Sequence, residues 1–324
     1  MSNGESLKKK RIGVLMGGMS SEREVSLMSG KAILQALLDL GYEARPVEAD
    51  ENLAPSLRQE KIEVAFIGLH GALGEDGSVQ GLLEMMRIPY TGSGILASAL
   101  SMNKWVSRQI FVQNGLPVPR YIFLPHPTKE WVSVSTIPFP FPVVIKPCQE
   151  GSSVGVTIVT HPREIPLAAE KAFEYGGGIL VEEYIKGREI QVGVLDDVAL
   201  GAIEIVPKIT FYSYEAKYTD GLADHFFPAP IPREDYDKAL ELGLNAHRLL
   251  GCEGATRVDL LYQEPGKFFL LEVNSLPGMT PLSLLPEIAK GVGIPFSMLV
   301  ERVLMGARLR IQAQPKGDSA KVER

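Results

Sequence analysis

Residues 254–284 read GATRVDLLYQEPGKFFLLEVNSLPGMTPLSL, and the parsing of this stretch decides the fold of the chain around it. Two apolar runs, GATRVDLLY and KFFLLEVN, flank Gln263-Glu264-Pro265-Gly266. Proline presets one backbone angle and glycine accepts positive φ, so the joint predicts a β-hairpin. Four polar residues interrupt the apolar runs: Arg257 and Asp259 on the first, Glu272 and Asn274 on the second. Each pair is spaced i, i+2, which sends both side chains to one face of their strand. A hairpin centred on Pro265-Gly266 sets Asp259 opposite Glu272 and Arg257 opposite Asn274; a loop one residue longer flips that pairing. Two carboxylates and an amide oxygen are hard donors that suit Mg²⁺ rather than zinc and leave positions for water and substrate phosphates. The plainer reading is a cross-strand salt bridge on a solvated face. The apolar company of Val258, Leu260, Phe269, Leu271 and Val273, and the Asn-Ser-Leu-Pro-Gly that follows, favour the metal site.

The chain has 324 residues, enough for two or three domains with cores of their own. Its 45% apolar and 22% charged composition is that of a globular protein. A net charge of −6 and a pI near 5.6 argue against a nucleic-acid partner, whose phosphates call for a basic patch. Cys148 and Cys252 are too few for a disulfide framework and match no metal spacing, so a reducing cytoplasm is expected. The opening MSNGESLKKKR lacks an apolar segment behind its basic residues, and no apolar run approaches the roughly 20 residues of a membrane span. Neither a secretory signal nor a membrane partner is expected. Residues 311–324 read as a disordered tail.

Strand-like RIGVLMG (11–17) and IEVAFIGL (62–69) enclose the helical pattern VSLMSGKAILQALLDLG and a further strand, YEARPVE. Such alternation predicts a parallel sheet whose ligands sit beyond the carboxyl ends of its strands. Glycine-bearing loops follow two strands there, at 17–24 and 70–77. Within them Glu22 reads equally as a helix-start acid and Asp76 as an N-cap. A helix over 102–115 ends at Gly115, and Leu116-Pro117-Val118-Pro119 marks a boundary. From Tyr121 the pattern becomes antiparallel α+β. The strand PVVIKP (142–147) runs into Glu150-Gly151-Ser152-Ser153-Val154-Gly155, a turn whose amides and hydroxyls can wrap phosphate oxygens. It is not a P-loop, because no lysine follows it, but Lys104 and Lys146 are candidate phosphate cations. Residues 207–230 are long, proline-rich and aromatic, with Phe211, Tyr212, Tyr214, Tyr218 and Phe226; a lid that excludes water is expected there. His225 and His247 read as surface or packing residues without a role.

The stretches GGMSSEREVSL, HGALGEDGSVQG, YTGSG, SALSMNK, KPCQEGSSVG, YEAKY, TRVDL and LEVNSLPGMT, in this order between about Arg11 and Arg308, closely resemble the D-alanine–D-alanine ligase family of the ATP-grasp fold. The resemblance implies a mixed α/β and α+β, three-domain architecture. A Rossmann-like parallel-sheet domain (1–103) would be followed by central (104–193) and C-terminal (194–310) ATP-grasp subdomains clasping ATP. It implies ATP-dependent joining of two D-alanines for peptidoglycan synthesis, by a cytoplasmic homodimer.

Site roles carry over where residues match. Asp259, Glu272 and Asn274 would hold two Mg²⁺, with Mn²⁺ able to substitute. Lys104, Lys146 and Lys217 would meet the ATP phosphates under the Ser152-Ser153 turn. Glu182 and Glu189 would bind the adenine and ribose ends, and backbone from Glu183 to Ile185 the adenine edge. Glu22, linked to Ser152 and Tyr218, would take the ammonium of the first D-alanine, with His70 nearby. Arg257 and the Gly278 amide would hold the oxyanion, and Ser283 with Leu284 the second carboxylate. Gln149 and Pro281-Leu282 depart from the family pattern, while Tyr218 favours a dipeptide product over a depsipeptide. The competing readings are a ligase using D-lactate or D-serine, and a silent nucleotide-binding relative. A silent relative should have lost a metal ligand or Arg257, and this chain keeps them all.

Overall fold

The computed structural model describes residues 3–127, 137–208, 222–280 and 282–311. Lys217 and Tyr218, most of the expected lid, and Pro281 lie outside the described residues.

The first unit runs α1 (Asn3–Leu7), β1 (Arg11–Met16), α2 (Arg23–Asp39), β2 (Glu43–Glu48), α3 (Leu53–Gln59), β3 (Val64–Ile67) and α4 (Ser78–Met86). Its sheet is parallel, as the alternation predicted, in the order β2-β1-β3. Helix α2 crosses β1 at touching distance: a Cβ on Gly30 would come within 2.4 Å of Met16 Cβ. Helices α5 (Ile95–Met102) and α6 (Lys104–Gln113) follow. Next come β4 (Tyr121–Leu124), β5 (Val143–Pro147), β6 (Thr157–Val159), α7 (Ile165–Phe173) and β7 (Ile179–Glu183). Their antiparallel sheet, ordered β4-β7-β5-β6, packs Val143, Ile145 and Val181 against Ile165 and Ala169 of α7.

The third sheet contains β8 (Arg188–Leu195), β9 (Val198–Pro207), β10 (Ala223–Phe226), β11 (Ala255–Gln263) and β12 (Lys267–Asn274), ordered β10-β9-β8-β11-β12 and antiparallel throughout. One face buries Ile190, Val192, Val258 and Leu260 against Ala239 and Ala246 of α8 (Arg233–Leu249). The other face carries the candidate site. Helices α9 (Leu284–Gly291) and α10 (Phe296–Met305) come last among the described residues, and α10 returns to the first unit, where Leu299, Val300 and Leu304 pack with Ile12, Val14 and Ile33.

Packing crosses the expected domain divisions. Ala97 of α5 and Phe111 of α6 share the core of β8, β11 and β12, so the division at 103/104 cuts a packed pair of helices. Strand β8 likewise runs through the expected division at 193/194.

The hairpin also differs from expectation in a way that leaves its site intact. Gln263 pairs with Lys267, so the connection is Glu264-Pro265-Gly266 and the turn is centred one half-step earlier than expected. A β-bulge between Asp259 and Leu260 compensates: Leu260 pairs with Leu270, but Asp259 pairs with Glu272 and Arg257 with Asn274. Leu271 is the extra residue. The bulge switches which parity faces the open side, so Leu271 and Glu272, adjacent in sequence, both line the same cavity.

His247 is buried on α8, its Nδ1 2.7 Å from Thr256 Oγ1. Burial pushes its pKa below the usual histidine value. The unfolded chain therefore binds more protons near pH 6, and this contribution to stability, complete above about pH 6.5, is lost as pH falls through the lower folded-state value. Urea titrations from pH 7.5 to 5 should show stability declining below pH 6.5 by up to about 1.4 kcal/mol per pH unit. His247→Asn should flatten that decline; an equal slope in both proteins rules His247 out as its source.

Candidate active site

Three strands bring the hairpin's polar residues into rows. In register across β8, β11 and β12 lie Gln191, Asp259 and Glu272, and one step along lie Gly193, Arg257 and Asn274. Gly193 matters because a Cβ there would meet Leu285 and Ile288 at 3.1 Å; its absence lets α9 settle beside Arg257. Arg257 grips Asp259 with both prongs of its guanidinium, Nε donating to Oδ1 at 2.8 Å and an NH₂ group to Oδ2 at 3.0 Å. Asn274 Oδ1 accepts the Leu276 N–H at 3.1 Å, which starts the turn toward Gly278.

Lys104 begins α6, fixed by the Asn103 side chain accepting from Val106 N and by its own N–H donating to the Cys148 carbonyl. Its ammonium lies 2.9 Å from Glu272 Oε2 and donates to the Glu150 carbonyl at 2.6 Å. Burial works to depress the Lys104 pKa, but the Glu272 carboxylate outweighs it and holds the value above that of an ordinary lysine. Lys146, on β5, pairs with Glu182 of β7 at 2.8 Å, yet there burial wins and its pKa falls below the usual lysine value. Glu183, which also lines the cavity, is ion-paired to Arg120 at 2.7 Å, and its backbone N–H donates to the Arg120 carbonyl.

Glu22 stands at the N-cap of α2 without capping it; its carboxylate instead accepts the Ser152 hydroxyl across the domain gap. Room for that carboxylate exists because Gly71 and Gly151 lack side chains: a Cβ on either would come within 2.9 and 2.8 Å of Glu22 Oε2. Ser152 and Ser153 both take positive φ, 48° and 62°, a costly conformation for non-glycine residues that suits a turn shaped for a ligand. Asp76, expected as an N-cap, accepts the Ser78 N–H from one residue before the cap position, held by Gly77.

Two cavities meet at these rows. The larger, about 510 Å³, lies between the four-stranded and five-stranded sheets and is lined by Lys146, Ser153, Glu182, Ile185, Glu189 and Asp259. The smaller, about 80 Å³, opens toward the first unit and is lined by Glu22, His70, Ser152, Arg257, Gly278 and Ser283, with Asn274 and Leu284 beside them. Lys104, Glu150, Gly151, Gln191 and Glu272 border both. Every expected site residue within the described residues therefore borders one of two adjoining spaces.

Sequence reasoning missed three residues here. Arg108, fully buried on α6, places an NH₂ group 2.9 Å from Glu182 Oε1, off the hydrogen-bonding line and so an ion pair only, and stacks over the Tyr121 ring at 5.7 Å. Its signal was available: it follows Lys104 by four residues on the same helix face. Gln191 is buried with its Oε1 unpartnered among the described residues, and it follows Glu189 by the same i, i+2 step that exposed Arg257 and Asp259. Glu75, beside His70, has its carboxyl pushed up by burial against the opposing pull of that ring. The cysteines stay outside the chemistry: both are buried free thiols, and burial lifts Cys148 to about 11.

The family profile described as "D-ala D-ala ligase C-terminus" matches residues 110–305, and that described as "D-ala D-ala ligase N-terminus" matches residues 47–93. A D-alanine–D-alanine ligase of Geobacter sulfurreducens is 56% identical over 314 residues, covering 97% of this chain and 99% of the relative. One of Trichlorobacter lovleyi is 55% identical over 307 residues, covering 94% and 97%. Among solved structures, the D-alanine–D-alanine ligase of Bacillus anthracis superposes with a TM-score of 0.81 at 36% identity, covering 92% of this chain and 97% of that one. Its complex with ATP gives 0.80 at 33% identity. With matches of this extent over a shared three-sheet fold, the chain belongs to the D-alanine–D-alanine ligase family.

Proposed function

We propose that this protein joins two D-alanines into D-alanyl-D-alanine with ATP, releasing ADP and phosphate, as a step of peptidoglycan precursor synthesis. The observation that carries the reading is the row of Gln191, Asp259 and Glu272 at the junction of the two cavities. A nucleotide lying in the larger cavity would present its terminal phosphate to a small molecule in the smaller one, which makes the encounter effectively intramolecular.

The donor set suits a magnesium site. Among the described residues no three His, Cys, Asp or Glu side chains form a ready-made cluster. What is present is two carboxylates, the Asn274 amide and the orphaned Gln191 oxygen, all hard donors that need substrate phosphates and water to complete a shell. Asp259, Glu272 and Asn274 would hold Mg²⁺, two ions with Mn²⁺ able to substitute, which when bound would neutralise charge on the phosphates. Arrival of a triphosphate would exchange partners: Lys104 would leave Glu272 for phosphate, and Lys146 and Lys217 would follow under the Ser152-Ser153 turn. Glu182, Glu189 and the backbone from Glu183 to Ile185 would bind the nucleoside.

The first D-alanine, its ammonium on Glu22, would attack the γ-phosphate through its carboxylate to give D-alanyl phosphate and ADP. The amine of the second would then attack that carbonyl, and phosphate would leave from a tetrahedral intermediate. Arg257 and the Gly278 amide would hold the oxyanion of that intermediate. Leu284 opens α9, whose positive end, with Ser283, favours the second carboxylate. Residues 207–230, with Tyr218, would cover the acyl phosphate from water. The buried free thiols accord with a cytoplasmic location, and family membership supports a homodimer.

The test is phosphate release from ATP and Mg²⁺ with D-alanine, against L-alanine, D-lactate and D-serine as acceptor arms. Release that requires D-alanine, with dipeptide in the products, is expected. Release favouring D-lactate or D-serine moves the reading to a neighbouring ligase, and ATP binding without stimulated release moves it to a silent binder.

A further inference from the structure

The Gly278 amide sits in a turn whose two shoulders are held from the first unit. Ser29, fully buried on α2, accepts the Met279 N–H at 3.2 Å. The same Ser29 Oγ lies 3.0 Å from His70 Nε2, and His70 Nδ1 lies 3.1 Å from the Leu276 carbonyl oxygen. Proton directions follow from what each atom can do. The Leu276 oxygen only accepts, so Nδ1 carries hydrogen. In the neutral ring Nε2 is then an acceptor, and Ser29, having taken the Met279 hydrogen, gives its own to Nε2. The result is a closed circuit from Met279 N–H through Ser29 and His70 to the Leu276 carbonyl. Only Pro277 and Gly278 lie between the anchored residues, and proline has no N–H, so Gly278 supplies the one amide hydrogen of the span.

We propose that Ser29 is a positioning residue for the ligation step: by coupling the Met279 N–H to His70 it fixes the turn that aims the Gly278 amide. The proposal rests on the reading of that amide as an oxyanion donor. Ser26 provides an internal comparison, since it lies one turn earlier on α2 and its hydroxyl donates to the Gly68 carbonyl at 2.7 Å, with no hydrogen bond to residues 276–279 among the described residues. Both hydroxyls are fully buried; Ser26→Ala loses one donated hydrogen bond, whereas Ser29→Ala loses both the bond accepted from Met279 and the one given to His70, so Ser26→Ala measures the cost of removing a buried hydroxyl from α2 without the link to the turn.

Ser29→Ala should lower dipeptide formation about 10- to 100-fold, part of the loss that follows outright removal of an oxyanion donor. It should also raise phosphate released per dipeptide above one, because acyl phosphate that is not captured goes to water, and leave ADP affinity unchanged. Ser26→Ala should keep that ratio at one. If Ser29→Ala loses no more activity than Ser26→Ala and stays fully coupled, Ser29 is a packing residue and the proposal is overturned. If the wild-type protein makes no dipeptide, the functional reading fails separately, and the circuit is judged on the ¹⁵N shifts of the His70 ring. A neutral Nδ1–H ring in the wild type is required by the circuit; an Nε2–H ring overturns it, whether or not the alanine variant folds.

Discussion

Glu272→Gln is expected to cut D-alanine-dependent phosphate release by about 10³-fold or more, with the melting temperature within a few degrees of wild type. A divalent cation contributes several kcal/mol of charge stabilisation to phosphoryl transfer, and about 4 kcal/mol corresponds to 10³ in rate. Glu272 is the carboxylate placed to take part in that contribution, standing beside Asp259 and bordering both cavities. Glutamine preserves its shape and leaves an amide oxygen to accept from Lys104, now 2.9 Å away, so the local fold keeps a partner for a buried ammonium. Steady-state phosphate release across Mg²⁺ concentrations, paired with calorimetric unfolding, checks both halves. A variant that retains a tenth of wild-type release would sink the metal assignment.

Arg257→Lys is expected to lower kcat for dipeptide formation by about 10²–10³-fold while leaving the KM for ATP nearly unchanged. Lysine keeps the positive charge and can still balance Asp259, whose two oxygens are now gripped at 2.8 and 3.0 Å. What it lacks is the planar fork that can hold Asp259 and present further N–H groups in a second fixed direction. A rise in KM with kcat intact would mean that Arg257 serves ground-state binding, and the oxyanion role would have to be abandoned.

The chemistry of the hairpin was legible because four polar residues at i, i+2 spacing are conspicuous among Val258, Leu260, Leu271 and Val273. The expected pairing of those residues is found, but through a route that spacing does not reveal: the turn is half a step off centre and the bulge at Leu271 restores the register. The spacing signals of Arg108 and Gln191 were present but their burial was not. An arginine on an amphipathic helix and a glutamine alternating with valine both look like solvated positions, and only the meeting of separate sheets shows that they are buried. Core sharing across the expected domain limits has the same non-local origin. The proline-rich segment after Gly115 is a real break in local structure, but α5 and α6 choose their core by the apolar face offered by β8, β11 and β12, which lie far along the chain.

The return of α10 to the first unit has a consequence for how the protein is born. Ile12 and Val14 of the opening strand share a core with Leu299, Val300 and Leu304, which leave the ribosome roughly 290 residues later. At about 5–20 residues per second, synthesis leaves the nascent first sheet without these partners for roughly 15–60 s. During that interval the apolar surface that α10 will cover stays open to other chains, which makes the nascent first sheet prone to aggregation until α10 arrives.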